Sequence, residues 1–358
     1  MKHNGLELLR QLTALFGPSG CEDEVREFIA KEIEGSYDEC RVDRTGNLIA
    51  KIRGRGMDYD PENPRRLMLA GHMDEVGFMI TEITDDGYLR FGTVGGIDPR
   101  VMSGRHVKVG DKSRVPGVIA SKAIHLQSGE ERSKVIATHQ LYIDIGARDK
   151  ADAETLVSVG DWAMFDSDFV SFGKDGAQMK AKALDDRVGC ALLIELMREL
   201  KENPRDLPFD VYFAFTCREE TGGSGAAVAA FTVAPDFAIV LESTAIHDLP
   251  NVGARFRVAK VGNGGALSLA DGGTIYDRAF VNYALRTAEQ NDIKVQIKQA
   301  VSGGNDSASI QRSLAGTRVL ALSLPTRYIH SASNVAAYSD YEAMRDLLSA
   351  MLREWKLD

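Results

Sequence analysis

The sequence is short of cysteine and tryptophan, carries no basic excess and has no long apolar run. Each shortage removes a class of explanation. Four cysteines in 358 residues, Cys21, Cys40, Cys190 and Cys217, are too few for a disulfide scaffold and offer no C-x-x-C spacing. They are expected as free thiols in a reducing cytoplasm. No apolar run approaches the roughly 18 residues of a bilayer span. Glu7 and Arg10 interrupt any apolar leader core, so no secretory peptide is expected. Lys and Arg number 43 against 52 Asp and Glu, a formal net charge of −9. That balance argues against sequence-independent nucleic-acid binding, which needs basic clusters to neutralise phosphates. Glycine and proline, at 34 and 10, stand near average usage, so the chain is neither collagen-like nor disordered.

What is present is enough for a large core. The length suggests about two domains of roughly 100–200 residues each. Ser19-Gly20-Cys21-Glu22 has capping-box spacing, with Ser19 as N-cap, ahead of a helical stripe at Val25, Phe28, Ile29 and Ile33. Residues 41–50 read as strand, Gly46-Asn47 turn and strand. Gly54 to Arg66 is a loop, and residues 67–71 suit a buried strand. From Gly77 to Val170 the texture is β-rich, with pieces at 78–83, 88–91, 106–109, 117–121 and 140–145 separated by turn residues such as Gly95-Gly96. That spacing predicts a compact barrel or sandwich. Helices are predicted over 188–200, 276–290 and 340–355, and strands over 211–215, 237–241 and 319–322. Strand–helix alternation predicts a doubly wound α/β domain, 1–73 plus 170–358, interrupted by a β domain at 74–169.

Of seven histidines, His72 and His330 follow apolar strands directly or through a short segment. Functional groups of open α/β sheets collect beyond the carboxyl ends of strands. Glu219-Glu220 and Glu242 occupy equivalent places, and Asp185-Asp186 lead into a helix. Two imidazoles and several carboxylates, without thiolate, suit two borderline divalent ions such as Zn²⁺, Co²⁺ or Mn²⁺.

These residues lie in ordered motifs: residues 70–77 (Ala-Gly-His-Met-Asp-Glu-Val-Gly), 183–187 (Ala-Leu-Asp-Asp-Arg), Arg218-Glu219-Glu220, and 327–331 (Arg-Tyr-Ile-His-Ser). Gly17-Pro18-Ser19-Gly20, Asp43 with Gly46-Asn47-Leu48, and residues 143–147 add to the set. Over nearly its whole length the chain resembles the glutamyl-aminopeptidase-like, tetrahedral (TET-type) dinuclear metallo-aminopeptidases. The resemblance implies a zinc-peptidase-like catalytic domain on a doubly wound mixed sheet, with an inserted small β-barrel for oligomerisation. It implies that His72 and Glu242 bind one metal, that Glu220 and His330 bind the other, and that Asp185 bridges both. Asp74 would orient the His72 imidazole. Glu219 would be the general base, taking a proton from the attacking water and returning it to the leaving amine.

Three positions depart from the family pattern: Glu242 stands where many relatives have Asp, Asn305 where Thr is frequent, and Asn334 near a position often acidic. His106, His125 and His139 fall in the β domain and are read as surface residues; His247 is read as a surface loop that could line the site. Cys190 and Cys217 are read as buried and inert. The rival functions are a related dinuclear carboxypeptidase or amide deacylase, which shares such ligands, and a glycoside hydrolase (endoglucanase) with paired carboxylates. Only two tryptophans argue against a sugar-stacking cleft. The family includes enzymes for acidic, basic and apolar first residues. Acidic or aliphatic ones are favoured here; Arg255, Arg257 and Lys260 could serve an acidic side chain but are read as a solvated basic face. The expected substrates are short peptides, and the resemblance implies dimers, six of which close into a tetrahedral dodecamer. No membrane or nucleic-acid partner is expected.

Overall fold

The computed structural model describes residues 5–253 and 256–357. Its centre is a mixed eight-stranded sheet. In spatial order the strands are Glu39–Val42, Leu48–Ile52, Asp210–Thr216, Arg66–His72, Phe237–Ala245, Arg318–Thr326, Gly265–Leu267 and Val295–Ile297. Four neighbouring strands, from Asp210–Thr216 to Arg318–Thr326, run parallel. Their uninterrupted apolar runs follow from cover on both faces: Leu67, Met68, Leu69 and Ala70 are all fully buried. The long helix Leu184–Glu202 packs on the two innermost strands, together with Gly5–Ala14 and Tyr338–Arg353. Ser224–Val233 and Ser307–Gln311 form a second helix group. The expected stripe at 188, 191, 192, 196 and 200 is buried throughout.

One glycine sets the spacing beneath the site. A Cβ at Gly71 would lie 2.9 Å from the Gly189 carbonyl carbon. The missing side chain therefore lets the long helix press against the strand one residue before His72.

Between the Arg66–His72 strand and this helix, six strands close into an antiparallel barrel, so the barrel alternative holds over the sandwich. They are, in order around it, Gly77–Ile83, Leu89–Val94, Tyr142–Asp144, Val115–Ala120, His106–Val109 and Trp162–Phe165. Phe78 fills the interior, edge-on to Phe91 and Phe165 with centroids 5.1 Å away in each case. The sixth strand is not among the sequence expectations, although Phe78↔Ala163 pairing closes the barrel.

Other differences have local causes. Ser19 caps no helix: its hydroxyl meets that of Thr221 at 2.9 Å, and the helix spans Asp23–Glu32. Glu22 instead accepts from the backbone N–H groups of Gly20 and Arg218. The helix expected from 276 spans Arg278–Gln290, because Asp277 caps it by accepting from Phe280 N. A small sheet of Val170–Phe172, Gln178–Ala181 and Asn334–Ala337 is also absent from the expectations, its strands being only three or four residues long. Among the described residues no helix is long and apolar enough to cross a membrane.

Candidate metal centre

The parallel strands deliver their carboxyl ends to one rim. His72 is the last residue of its strand, and Glu219 and Glu220 follow Asp210–Thr216. Glu242 lies within its strand rather than beyond it, paired in register with Ser323. Asp185 and Asp186 form the irregular first turn of the long helix.

The structure brings all seven sequence-selected residues together. His72 Nε2 lies 3.5 Å from Asp185 Oδ1, 3.6 Å from Glu242 Oε2 and 3.9 Å from Glu219 Oε2. His330 Nε2 lies 3.3 Å from Asp185 Oδ2 and 3.4 Å from Glu220 Oε2. Each oxygen of Asp185 therefore faces a different imidazole. Both imidazoles engage a backbone carbonyl through Nδ1: His72 with Asp74 O at 3.0 Å, His330 with Gly96 O at 2.8 Å. A proton placed on Nδ1 for those contacts leaves each Nε2 lone pair aimed into the cluster.

The Asp74 side chain does more than face His72, whose Nδ1 is 3.4 Å away. Its two oxygens accept the N–H groups of Glu219 and Glu220, each at 3.1 Å. One buried carboxylate thus fixes two loops. Asp186 is tied to the backbone, accepting from His72 N and Gly189 N, although it also falls within ligand distance of His72 and Glu242.

The electrostatics ask for cations. Burial, with the charges of Glu242, Asp306 and Glu220 behind it, pushes Glu219 up to about 11 against the pull of His72. Burial also raises Glu220 to about 8 and Glu242 to about 7. Asp185 runs the other way: despite its burial, the His330 and His72 imidazoles hold it below the usual carboxylate range. Glu220 Oε1 and Glu242 Oε1 are buried with no hydrogen-bond partner among the described residues. Orphaned buried carboxylate oxygens are costly unless a cation completes them. His72, Asp185 and Glu220 place ligand atoms within 4.8 Å of one another, so the donor set fits divalent metal.

Backbone strain concentrates here too. Ala183, Arg218, Tyr328 and His330, none of them glycine, adopt φ of 53°, 58°, 59° and 57°. Such residues persist only where surrounding contacts over-determine them. Asn334 supplies one such contact, its amide donating to Tyr328 O and Ser331 O across the His330 turn. Sequence reasoning did not give Asn334 this bracing role, nor Gly96 its carbonyl contact. A cavity of about 320 Å³ opens over the cluster, with Asn305 in its wall. His247 is exposed and not in that wall, and His106, His125 and His139 are exposed on the barrel side. Arg257 and Lys260 are exposed and off the cavity, while Arg255 and His3 lie outside the described residues.

The family model for the M42 glutamyl aminopeptidases matches residues 46–347. The chain belongs to the M42 glutamyl aminopeptidase family. It is a metal-dependent aminopeptidase, a hydrolase of peptide bonds. A protein of Acetivibrio thermocellus, provisionally named an aminopeptidase, is 37% identical over 93% of this chain and 94% of its own. A TET aminopeptidase from a marine-sediment Thaumarchaeota archaeon superposes with a TM-score of 0.92 at 34% identity, covering 99% and 97% of the two chains. The Pyrococcus horikoshii TET1 peptidase, described as assembling into a tetrahedron or a large octahedral shell, gives 0.85 at 36% identity over 98% and 100%.

Proposed function

We propose that the cluster holds two divalent ions, zinc, cobalt or manganese. His72 and Glu242 would serve one, Glu220 and His330 the other, and Asp185 both. The observation that carries this reading is the split of Asp185, one oxygen 3.5 Å from His72 Nε2 and the other 3.3 Å from His330 Nε2. An imidazole nitrogen could not serve two ions in this way. Ions bound there would lower the pKa of a water, polarise the scissile carbonyl and hold the free α-amino group.

The chain's own residues do the rest. Glu219 faces the same gap and takes a proton from the attacking water, then delivers it to the leaving amine. Burial among like charges disfavours its anion, and cations bound beside it would restore the carboxylate that a base needs. Asp74 positions His72 and the Glu219-Glu220 backbone together. Paired carboxylates alone could cleave a sugar, but such chemistry has no use for two imidazoles held with Nε2 inward.

The same reading extends to organisation. Residues 1–73 and 170–358 form the catalytic domain, and 74–169 the oligomerisation domain. Dimers made through the latter, closing six at a time into a hollow dodecamer in the cytoplasm, would restrict the sites to short peptides. The assembly described for the Pyrococcus horikoshii relative supports this. Closed symmetric assembly is also the usual outcome for soluble homo-oligomers. One assay tests the activity: metal-loaded enzyme should cleave a free-amine peptide and spare its N-acetylated form. Cleavage of both alike, or preference for the blocked peptide, would favour the deacylase or carboxypeptidase reading.

A further inference from the structure

The turn that carries Glu219 and Glu220 is held by its backbone. Its four successive N–H groups, from Cys217 to Glu220, each meet a side-chain acceptor. Cys217 N donates to Asn47 Oδ1 at 3.0 Å and Arg218 N to Glu22 Oε1 at 3.2 Å, while Glu219 N and Glu220 N donate to the two Asp74 oxygens at 3.1 Å. Three separate segments therefore converge on one turn. Consecutive N–H groups make a concavity that favours anions. Here the protein's own buried groups fill it, since Asn47, Glu22 and Asp74 are all buried.

The Glu22 contact falls at a strained residue. Arg218, which immediately precedes Glu219, adopts φ of 58° without being glycine. Such a conformation persists only when its surroundings over-determine it. Glu22 Oε1 also accepts from Gly20 N at 2.7 Å, which fixes the carboxylate against its own loop. On the far side of the two glutamates, the Ser19 hydroxyl meets that of Thr221 at 2.9 Å. Ser19 is itself held by its backbone: its N–H donates to Glu75 O at 3.1 Å, and its carbonyl accepts from Trp162 Nε1, on the barrel, at 3.2 Å. Residues 19–22 thus grip the turn immediately before Glu219 and immediately after Glu220. The capping-box spacing of this run does not account for it, because the helix Asp23–Glu32 receives no side-chain cap.

We propose that Ser19 and Glu22 are positioning residues for the reaction, acting through the backbone of residues 218–221 to aim the Glu219 carboxylate. The proposal rests on Glu219 being the general base. A ligand such as Glu220 would be held at its far end by its ion. Glu219 has no such tether, so the turn sets its aim.

The test compares Glu22→Met and Ser19→Ala with Glu22→Gln and Ser19→Thr, which keep an oxygen for each contact. Turnover is measured on Leu-, Glu- and Lys-anilides with zinc-loaded, full-length protein, beside zinc content and thermal unfolding. Misplacing a reacting group by a small distance is costly, so Glu22→Met should lose about ten- to a hundredfold in kcat. Ser19→Ala removes a neutral hydrogen bond and should lose about two- to tenfold. In both, KM and zinc content should hold, and Glu22→Gln and Ser19→Thr should regain most of the loss. Unchanged kcat in Glu22→Met and Ser19→Ala, whatever their unfolding midpoints, overturns the proposal. So does loss of zinc, which would place their action on Glu220, and so do conservative variants as slow as the others. If Glu22→Met fails to fold, Ser19→Ala and its Ser19→Thr rescue decide the matter. Glu219→Gln, run in parallel, separates the proposal from its basis. Normal turnover there refutes the base assignment, whereas a disabled Glu219→Gln beside fully active Ser19→Ala and Glu22→Met refutes the positioning alone.

Discussion

The sheet rim and the barrel use similar residues in opposite ways. At the rim, His72, Asp74, Asp185 and Glu242 are buried together, and carboxylate oxygens lack partners. Beside them Glu75 joins Lys182 and Arg187 in a buried ion cluster, with Lys182 Nζ 2.7 Å from Glu75 Oε1. On the barrel, charge stays in solvent: Lys122 pairs with Glu131 and Lys108 with Asp166 at the surface. The barrel even carries the larger groove, about 520 Å³ between Lys122 and Gln140. It is lined largely by solvated side chains and gathers no imidazole–carboxylate cluster. Chemistry is marked here by buried charge that lacks a partner, not by volume. The two regions are joined at the site itself, since Gly96, in the loop after the second barrel strand, gives its carbonyl to His330, and Ala332, two residues beyond His330, packs into the barrel's core.

The contrast breaks most visibly if metal is irrelevant to the rim. Chelation should abolish turnover, and Co²⁺, Zn²⁺ or Mn²⁺ should restore it. Asp185→Asn should lose bound metal by elemental analysis. Replacing His106, His125 and His139 together by alanine should leave metal content intact. Next in size is Glu219→Gln, which should retain metal yet lose about 10²–10⁴-fold in kcat, the scale of general acid–base catalysis. Normal turnover by that variant would assign the base elsewhere.

A third effect concerns stability. Glu75→Gln leaves the buried ammonium of Lys182 and guanidinium of Arg187 without their shared anion. It should destabilise by about 3–5 kcal/mol in denaturant unfolding, whereas Lys122→Met on the barrel should leave the midpoint where it was. Equal shifts would erase the distinction between the regions.

The smallest effect is a pH response confined to the barrel. The Ser128 N–H and the Lys122 ammonium hold Glu131 down to about 2, from an ordinary 4.5. A depressed carboxyl contributes stability above its unfolded pKa and loses it as pH falls towards the folded one. Amide exchange in the short helix Gly129–Ser133 should therefore lose protection between about pH 4.5 and 2. A Glu131→Gln variant should lack that step.

How much of this was legible in the sequence depended on length and on chemistry. The long helix and the parallel strands announce themselves because their apolar pattern persists over five residues or more. Most site residues were legible because they fall in motifs that follow a strand or, for Asp185, open the long helix. Glu242 could be picked from its place after an apolar run, though not its position inside the strand. Trp162–Phe165 was missed because its four residues are all apolar and lack the alternation that marks His106–Val109. Asn334 and Gly96 act across the chain, one through an amide and one through a carbonyl, and residue type alone signals neither.

The central claim is that the rim holds two ions astride Asp185. Anomalous X-ray diffraction from zinc-loaded crystals tests it directly. Two strong peaks are expected at the rim, one beside His72 and Glu242, the other beside Glu220 and His330, with Asp185 between them. An empty rim in an active, zinc-loaded crystal, or a single peak that leaves one imidazole without metal, would contradict it.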